Sequence, residues 1–310
     1  MSPPATALHM PSEMSDLRER LRAEGGRWLP VSGIFGPPSA LVPDISSLWG
    51  VPSASKYGPL TPQRYSELFA MHDFGAVERP WGAYDDRALD LAGVRYAAMP
   101  SPRYYEEGAA SSEFKENAEN VTDGRRWRLV RAVADVEVFE NMRALPRAWL
   151  VRRAATLTPS QIVETIHTSR LPDGSPYDPG VVGLVEEPLM LDAGDVRGEG
   201  RVGWLESRAS LVEMETDSPS AALLVLGDLF YPGWIAAVDG RRVSVLRTND
   251  IQRGVVVPAG RHRVRFSFRP MSFLAGALIS VVAVLALVIF AVTQAAARRG
   301  SSNLGTLDSF

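Results

Sequence analysis

The chain has 310 residues, enough for two domains of ordinary size or one large one. Its 33 Lys and Arg residues nearly balance 36 Asp and Glu residues, and both signs are mixed along the sequence, which argues against nucleic acid as a partner and against a polybasic lipid-binding arm. Cysteine is absent, which excludes disulfides, thiolate metal sites and cysteine nucleophiles and leaves the redox compartment open.

The first 26 residues are predicted to be a disordered lead-in followed by a short helix. Residues 1–11 are rich in Pro, Ala and small polar side chains. A helix is expected to begin near Ser12 and to end at Gly25. Its apolar face is predicted to consist of Met14, Leu17 and Leu21. The segment has no apolar run of the kind found in a signal peptide.

Residues 27–124 are predicted to form an α/β part of a soluble body. A strand at 28–31 leads into the loop 33–38, which is rich in Gly and Pro. Thr61 followed by Pro62 is typical of a helix start. Further along, a helix at 86–92 and a strand at 94–99 are separated by Gly93. The polar stretch from 101 is expected to end in a turn at 122–124.

Residues 125–270 are predicted to form a β-rich sandwich, with one helix starting at Thr158 and Pro159. Asp239-Gly240 lies between two apolar runs and is the strongest short-range signal for a β-hairpin. The spacing of the runs favours an antiparallel, jelly-roll-like sandwich, and the whole chain is predicted to be α+β. The expected strands are 127–132, 136–140, 148–152, 202–214, 221–226, 234–238, 242–246, 254–257 and 262–268.

Residues 271–297 carry no charge and are predicted to be one transmembrane helix. As a helix the run would be roughly 40 Å long, against a hydrocarbon core of about 30 Å. A buried helix of a soluble protein is usually shorter and has a polar face. Gly276 and Ser280 are one turn apart and offer a small surface on which another helix could pack. Residues 298–310 are then a tail on the far side.

Catalytic and metal-binding patterns are absent from the sequence. His9, His72, His167 and His262 are too far apart to form a ligand motif. The pairs Asp85-Asp86 and Glu186-Glu187 could act as acid and base or bind sugar. The alternative is that both pairs are simply solvated at the surface. Asp85-Asp86 also precedes a helix, whose dipole favours acidic residues at its start. No catalytic residue, metal ligand or cofactor is assigned.

Aromatic side chains are the better candidates for ligand contact, because flat rings stack on sugars. A glycan platform is predicted from Trp204, Tyr231 and Trp234, with Trp49 and Trp81 as weaker candidates. Burial in the core is the commoner fate of a Trp on a strand, and a place at the membrane interface is a third alternative. Phe266, Phe268 and Phe273 fit that interface better.

Residues 230–280 carry a series of short motifs in a fixed order: Tyr-Pro-Gly-Trp, Val-Asp-Gly, Arg-Gly-Val, Pro-Ala-Gly-Arg-His and Arg-Pro, followed by the apolar helix. This series resembles the carboxyl-terminal signature of the YfhO family of bacterial membrane proteins. Weaker matches in the same order are LDLAGVRYAAMP, VEVFENMRALPRAWLV and YGPLTPQRYSELF. The matching positions, expected to be structural, are Tyr231, Pro232, Gly233, Trp234, Asp239, Gly240, Arg253, Gly254, Pro258, Gly260, His262 and Pro270.

The resemblance implies a function at the cell envelope. Its family is similar to GT-C glycosyltransferases, which transfer sugar from a polyprenyl-phosphate carrier to an acceptor outside the cytoplasm. The chain would then be the extracytoplasmic domain and last transmembrane helix of such a protein, accessory to transfer. Its partners would be the bilayer, other membrane helices and a polyprenyl-phosphate sugar or envelope glycan. The catalytic membrane part is not in this chain, so no catalytic residue is carried over. The alternative is a single-pass, membrane-anchored module that binds a glycan or a protein without catalysis.

The distribution of positive charge and the family resemblance predict opposite orientations of the chain in the membrane. Four arginines precede the apolar run, at 261, 263, 265 and 269, whereas Arg298 and Arg299 follow it, so a simple positive-inside count places the body in the cytoplasm. The four alternate along one predicted strand and belong to a folded domain, which weighs less in that rule than a short loop. The resemblance places the body outside and the tail in the cytoplasm, and this is the orientation we expect.

Overall fold

A computed structural model describes residues 11–31, 45–54, 62–69, 82–102, 112–133, 135–189, 191 and 199–304. Several expectations lie outside these ranges: the disordered lead-in at 1–10, the loop 33–38, the helix cap at Thr61, and the side chains of His9, His72 and Trp81.

The amino-terminal part is a four-stranded mixed sheet in the order β1-β2-β4-β3. β1 and β2 run parallel, and the other pairs are antiparallel. The strands are β1 Arg27–Pro30, β2 Val94–Pro100, β3 Trp127–Val133 and β4 Val136–Asn141. The helices are a 3₁₀ turn Ser12–Met14, α1 Ser15–Glu24, α2 Ile45–Leu48, α3 Gln63–Phe69, α4 Ala88–Leu91 and α5 Ser112–Thr122.

The helix at the start of the chain packs as predicted. Met14, Leu17 and Leu21 are buried against Trp28 and Tyr96 of the sheet. Gly25 ends α1 in the left-handed conformation at φ 70°, which a glycine adopts without steric penalty. The apolar stripe of α1 therefore fixes it to one face of the first sheet.

This part departs from the sequence expectations in two places. Residues 112–122 form α5, which buries Ala118 and Val121, in a stretch for which only polar character and a turn at 122–124 were predicted. The predicted boundary at residue 125 assigned β3 and β4 to the sandwich. Their ladder hydrogen bonds join them to β2 instead, so the sandwich begins only at residue 148. Strand propensity identified both strands, but the partner of a strand depends on distant residues.

The rest of the body is a sandwich of two sheets, and the α+β class is confirmed. The six-stranded sheet has the order β5-β10-β14-β13-β7-β6, and the five-stranded sheet the order β12-β11-β15-β9-β8. The first contains β5 Ala148–Val151, β6 Arg153–Thr156, β7 Val182–Val185, β10 Ala222–Leu229, β13 Leu246–Thr248 and β14 Gln252–Val257. The second contains β8 Arg201–Arg208, β9 Leu211–Ser218, β11 Trp234–Val238, β12 Arg241–Val243 and β15 Gly260–Phe268.

The inner faces of the two sheets share one apolar core. Leu224 and Val255 of the first sheet pack with Met214, Val264 and Phe266 of the second. Phe266 is therefore a core residue, and its predicted place at the membrane interface is wrong. Alternation along β15 explains this, since Val264 and Phe266 point inward while Arg263 and Arg265 are exposed.

Local sequence signals in the sandwich are mostly confirmed. Asp239 and Gly240 have φ of 50° and 78° and join β11 to β12 as a hairpin. Thr158 caps helix α6 (Pro159–Thr168) through a capping box with Gln161. The predicted strand 202–214 is two strands, β8 and β9, and the predicted strand 242–246 falls on β12 and β13. β6 and β7 pair in parallel, which departs from a fully antiparallel sandwich.

The carboxyl-terminal helix α7 spans Met271–Leu304 and follows β15 after two residues. Its apolar part, Met271–Gln294, has 24 residues and a mean hydropathy of 2.9, and none of it is buried in the protein. Within the described ranges it is the one helix long and apolar enough to cross a membrane. The helix continues past the predicted end at residue 297 into the predicted tail. Its apolar surface needs a covering, and the length fits a lipid bilayer.

Candidate functional site

The motif residues at 231–234 and 270 meet where the sandwich joins α7. Trp234 pairs with Phe268 across β11 and β15, and their ring centres are 5.3 Å apart. The Tyr231 ring lies 6.3 Å from that of Phe268. The backbone N–H of Arg269 donates to the carbonyl of Gly233 at 2.7 Å. The turn therefore holds the last residues before the helix.

Gly233 is required at this junction for two reasons. Its φ of 105° lies in a region that residues with a side chain rarely adopt. A Cβ added there would also be 2.9 Å from Cα of Pro270, closer than van der Waals contact allows. The glycine lets the turn and the helix root approach each other directly.

A second group of motif residues lies at the opposite end of the same strands. His262 Nδ1 is 2.6 Å from Asp239 Oδ2, and His262 Nε2 is 3.0 Å from the carbonyl of Ala259. Both neighbours accept hydrogen bonds, so the imidazole fits best when both nitrogens carry a proton. The hydrogen bond to Asp239 accordingly raises the pKa of His262. This pairing braces the hairpin, and it does not resemble a metal or catalytic arrangement.

The remaining motif residues close the strand ends and the strand pair β13–β14. Gly260 has φ of 104° and begins β15 after Pro258. A Cβ on Gly254 would collide with the hydroxyl of Thr248, so glycine permits the close approach of β13 and β14. Arg253, next to it, is 2% exposed, and its guanidinium lies 3.7 Å from the ring centre of Trp234.

Arg253 belongs to a partly buried ionic group that we call the Asp228 cluster: Asp228, Arg27, Arg147 and Arg253. Asp228 Oδ2 accepts from Arg147 at 2.7 Å and from Arg253 at 3.1 Å, and Oδ1 accepts from Arg147 at 3.0 Å and from Arg27 at 3.5 Å. Burial would raise the pKa of Asp228, but the hydrogen bond from Arg147 and the three positive charges outweigh it and hold the pKa below its usual range. Burial lowers the pKa of Arg253 to about 10.

The Asp228 cluster ties the two parts of the body together. Arg27 begins β1 of the first sheet, while Asp228 and Arg253 lie on neighbouring strands of the sandwich. Arg27 also donates to the carbonyls of Ala92 and Gly227. One carboxylate thus faces three guanidinium groups, which leaves the cluster positively charged.

Trp204 lies beside this cluster and remains 43% exposed. The guanidinium of Arg147 is 4.9 Å from its ring centre, and Arg147 also donates to Ser207 Oγ at 2.8 Å. An exposed indole next to fixed hydrogen-bonding groups is suited to the apolar face and hydroxyls of a sugar. Of the three predicted platform residues, Trp204 has this setting.

The other two platform residues have different surroundings. Trp234 is half-buried between Arg253 and Phe268. Tyr231 is 55% exposed but lies at the root of α7. Trp49 is buried edge-on against Trp28 in the core of the first sheet.

The predicted carboxylate pairs are split by the fold. Asp85 is exposed, whereas Asp86 is buried, accepts from the backbone of Ala88 at 2.7 Å and lies 2.8 Å from His167 Nδ1. Glu186 binds Arg64, which also donates to Asp250 at 3.0 Å. His167, Arg64 and Asp250 contribute to a cleft of about 570 Å³ between α3 and α6. No nucleophile hydrogen-bonded to His167 is present among the described residues.

A further buried group, which we call the Asp90 cluster, was not predicted. Its members are Asp90, Arg87, Arg126, Arg143 and Asn141. Asp90 is fully buried and accepts from Arg126 at 2.7 Å and from Asn141 at 2.9 Å. Its second oxygen is 3.1 Å from Arg87 and 3.2 Å from Arg143. Asp90 falls in the helix predicted at 86–92, but no role was predicted for it from the sequence.

Within the described part of the chain, no three His, Asp or Glu side chains are grouped as a metal ion would require. No protein-family model, no curated protein and no solved structure matches the chain. The inferences below therefore depend on this chain's own residues.

Proposed function

We propose that this chain is the extracytoplasmic domain and last transmembrane helix of a YfhO-like membrane protein of GT-C type. Its role is accessory to the transfer of a sugar from a polyprenyl-phosphate carrier to a cell-envelope acceptor. In this proposal a membrane partner carries the catalytic groups. The domain stands over that partner on the extracytoplasmic side, and the tail is cytoplasmic.

The direct fusion of the sandwich to α7 supports this proposal. The Tyr231–Trp234 turn, Phe268 and Pro270 form one packed unit, so α7 continues the body without a flexible linker. A rigid junction of this kind would hold the domain in a fixed position relative to an active site in the membrane. Gly276 and Ser280 remain open on α7, and Ser280 Oγ donates to the carbonyl of Gly276 at 2.9 Å, as a polar group in lipid requires.

The observation that carries the sugar-binding part of the proposal is the exposed ring of Trp204 beside Arg147. The ring offers a stacking surface, and the partly exposed guanidinium of Arg147 beside it offers N–H groups to hydroxyl or phosphate oxygens. An acceptor glycan and a sugar phosphate both have groups that match this surface.

We expect Trp204→Ala to weaken glycan binding about tenfold, which corresponds to about 1.4 kcal/mol for a lost aromatic contact. The probes are envelope oligosaccharides and a polyprenyl-phosphate hexose, and binding to the full chain in detergent is measured by calorimetry. Tyr84→Ala is the matched control, because Tyr84 is also 43% exposed and has Arg143 4.9 Å from its ring centre. Absence of binding by every probe, or an equal loss in both variants, would contradict the proposed site.

The second candidate function is a membrane-anchored binding module that works without a catalytic partner. The same Trp204 surface supports it, as does α7, the one candidate span within the described residues. Coexpression with a multi-pass protein encoded beside this chain, followed by a sugar-transfer assay with and without the chain, separates the two. Unchanged transfer without the chain favours the second candidate.

A further inference from the structure

The position of α7 determines how far one end of the sandwich lies from the hydrocarbon core of the bilayer. The apolar part of α7 begins at Met271, and its 24 residues are about 36 Å long, a little more than the hydrocarbon core of about 30 Å. Met271 therefore lies close to one boundary of the hydrocarbon. The headgroup layer extends several ångströms beyond that boundary.

Residues that contact the first turn of α7 must lie at about the same level as Met271 along the bilayer normal. The backbone N–H of Phe273 donates to the carbonyl of Pro270 at 3.1 Å, so the helix starts directly at the junction. Tyr231 packs on Phe268, three residues before Met271. The backbone N–H of Phe268 donates to the carbonyl of Ser210 at 2.9 Å, which brings the β8–β9 turn to the same end. The contacts of Gly233 with Arg269 and Pro270 hold this end of the sandwich at the start of α7, and therefore close to the bilayer.

The chemistry of this end matches a lipid headgroup layer. Tyr231 and Phe273 are exposed aromatic side chains, the kind enriched where membranes meet water. Leu229 is an exposed apolar residue two positions before Tyr231. Arg208 and Arg269 are exposed cations at the same end and can pair with lipid phosphates while their stems cover apolar surface.

We propose that this end of the sandwich is inserted in the headgroup layer, with Tyr231 as its central contact. The surface consists of Leu229, Tyr231, Arg269, Phe273 and the β8–β9 turn with Arg208. The body is then held in one orientation over the bilayer by contacts on several strands, in addition to the covalent anchor. The proposal goes beyond the proposed function, since it holds whether or not Trp204 binds a sugar.

The absence of cysteine allows a direct test. Tyr231→Cys and Arg241→Cys are each labelled with a fluorophore, and the full chain is reconstituted in phosphatidylcholine vesicles. Part of the lipid carries a nitroxide quencher on its headgroup. Arg241 is the matched control, because it is exposed in the β11–β12 hairpin at the far end of the strands, about 15–20 Å away.

The label at position 231 is expected to be quenched severalfold more strongly than the label at 241. A label introduced by Phe273→Cys, on the apolar part of α7, gives the reference level of quenching. Equal weak quenching at 231 and 241 would overturn the proposal. Shielding of position 231 from a water-soluble quencher without quenching by the lipid would also overturn it, because a protein partner would then cover this end.

Discussion

Replacing Asp228 by alanine is expected to lower the free energy of unfolding by about 3–5 kcal/mol, the usual effect when a buried charge, here Arg253, loses its partner. Arg27 and Arg147 keep other hydrogen bonds when the carboxylate is lost. Arg253, at 2% exposure, would be left as a buried cation beside two others. The measurement is chemical denaturation of the full chain in detergent, followed by tryptophan fluorescence.

Asp217→Ala is the control, because Asp217 is an exposed carboxylate on β9 of the same sandwich. It is expected to change the stability by no more than about 0.5 kcal/mol. An equally small effect of Asp228→Ala would show that the three arginines do not depend on this carboxylate.

The difference in unfolding free energy between the wild type and Asp228→Ala should depend on pH. The folded-state pKa of Asp228 lies below its unfolded value, so its contribution is complete above the unfolded pKa of about 3.9 and is lost as the pH falls through the folded pKa. The difference in stability between the wild type and Asp228→Ala should therefore be constant near neutral pH and should narrow in acid. A difference that grows in acid would contradict the assignment of Asp228 as the ionised centre.

Asp90→Ala is expected to have an effect of similar size, about 3–5 kcal/mol, because it leaves the buried Arg126 without its carboxylate partner. Burial lowers the pKa of Arg126, which shows that its environment disfavours the charge that Asp90 balances. Arg87 and Arg143 lose the second oxygen of the same group. Thermal denaturation monitored by circular dichroism measures the loss.

Asp85→Ala provides the matched control for Asp90→Ala, since Asp85 is an exposed acid shortly before α4 in the same segment. We expect Asp85→Ala to leave the melting temperature almost unchanged. If both variants have the same melting temperature as the wild type, Asp90 does not stabilise the fold through Arg126.

Features that depend on neighbours in sequence were predictable. The Asp239-Gly240 hairpin needs two residues that tolerate positive φ, and these are adjacent in the chain. The start of α6 at Thr158-Pro159 and the apolar stripe of α1 are equally local. The apolar run at 271–297 identified α7 because no short-range pattern competes with so long an uncharged segment.

Features that depend on distant residues were not predictable. Arg27 and Asp228 are 201 positions apart, and no periodicity in either segment indicates that they meet. The same holds for the choice of β2 as the partner of β4, which moved the boundary of the sandwich. For the candidate site, Trp204 could be named as an exposed aromatic, but its neighbours Arg147 and Asp228 appear only after β5 and β10 pair.

We propose that the sandwich lies outside the cytoplasm and that α7 carries the chain to the cytoplasmic side. Impermeant thiol labelling of intact cells that produce Arg241→Cys or Ser302→Cys tests it most directly. Position 241 is exposed on the body, and position 302 lies on the helix beyond the apolar part. We predict that 241 is labelled in intact cells and that 302 is labelled only after permeabilisation. Labelling of 302 but not of 241 in intact cells would contradict the claim.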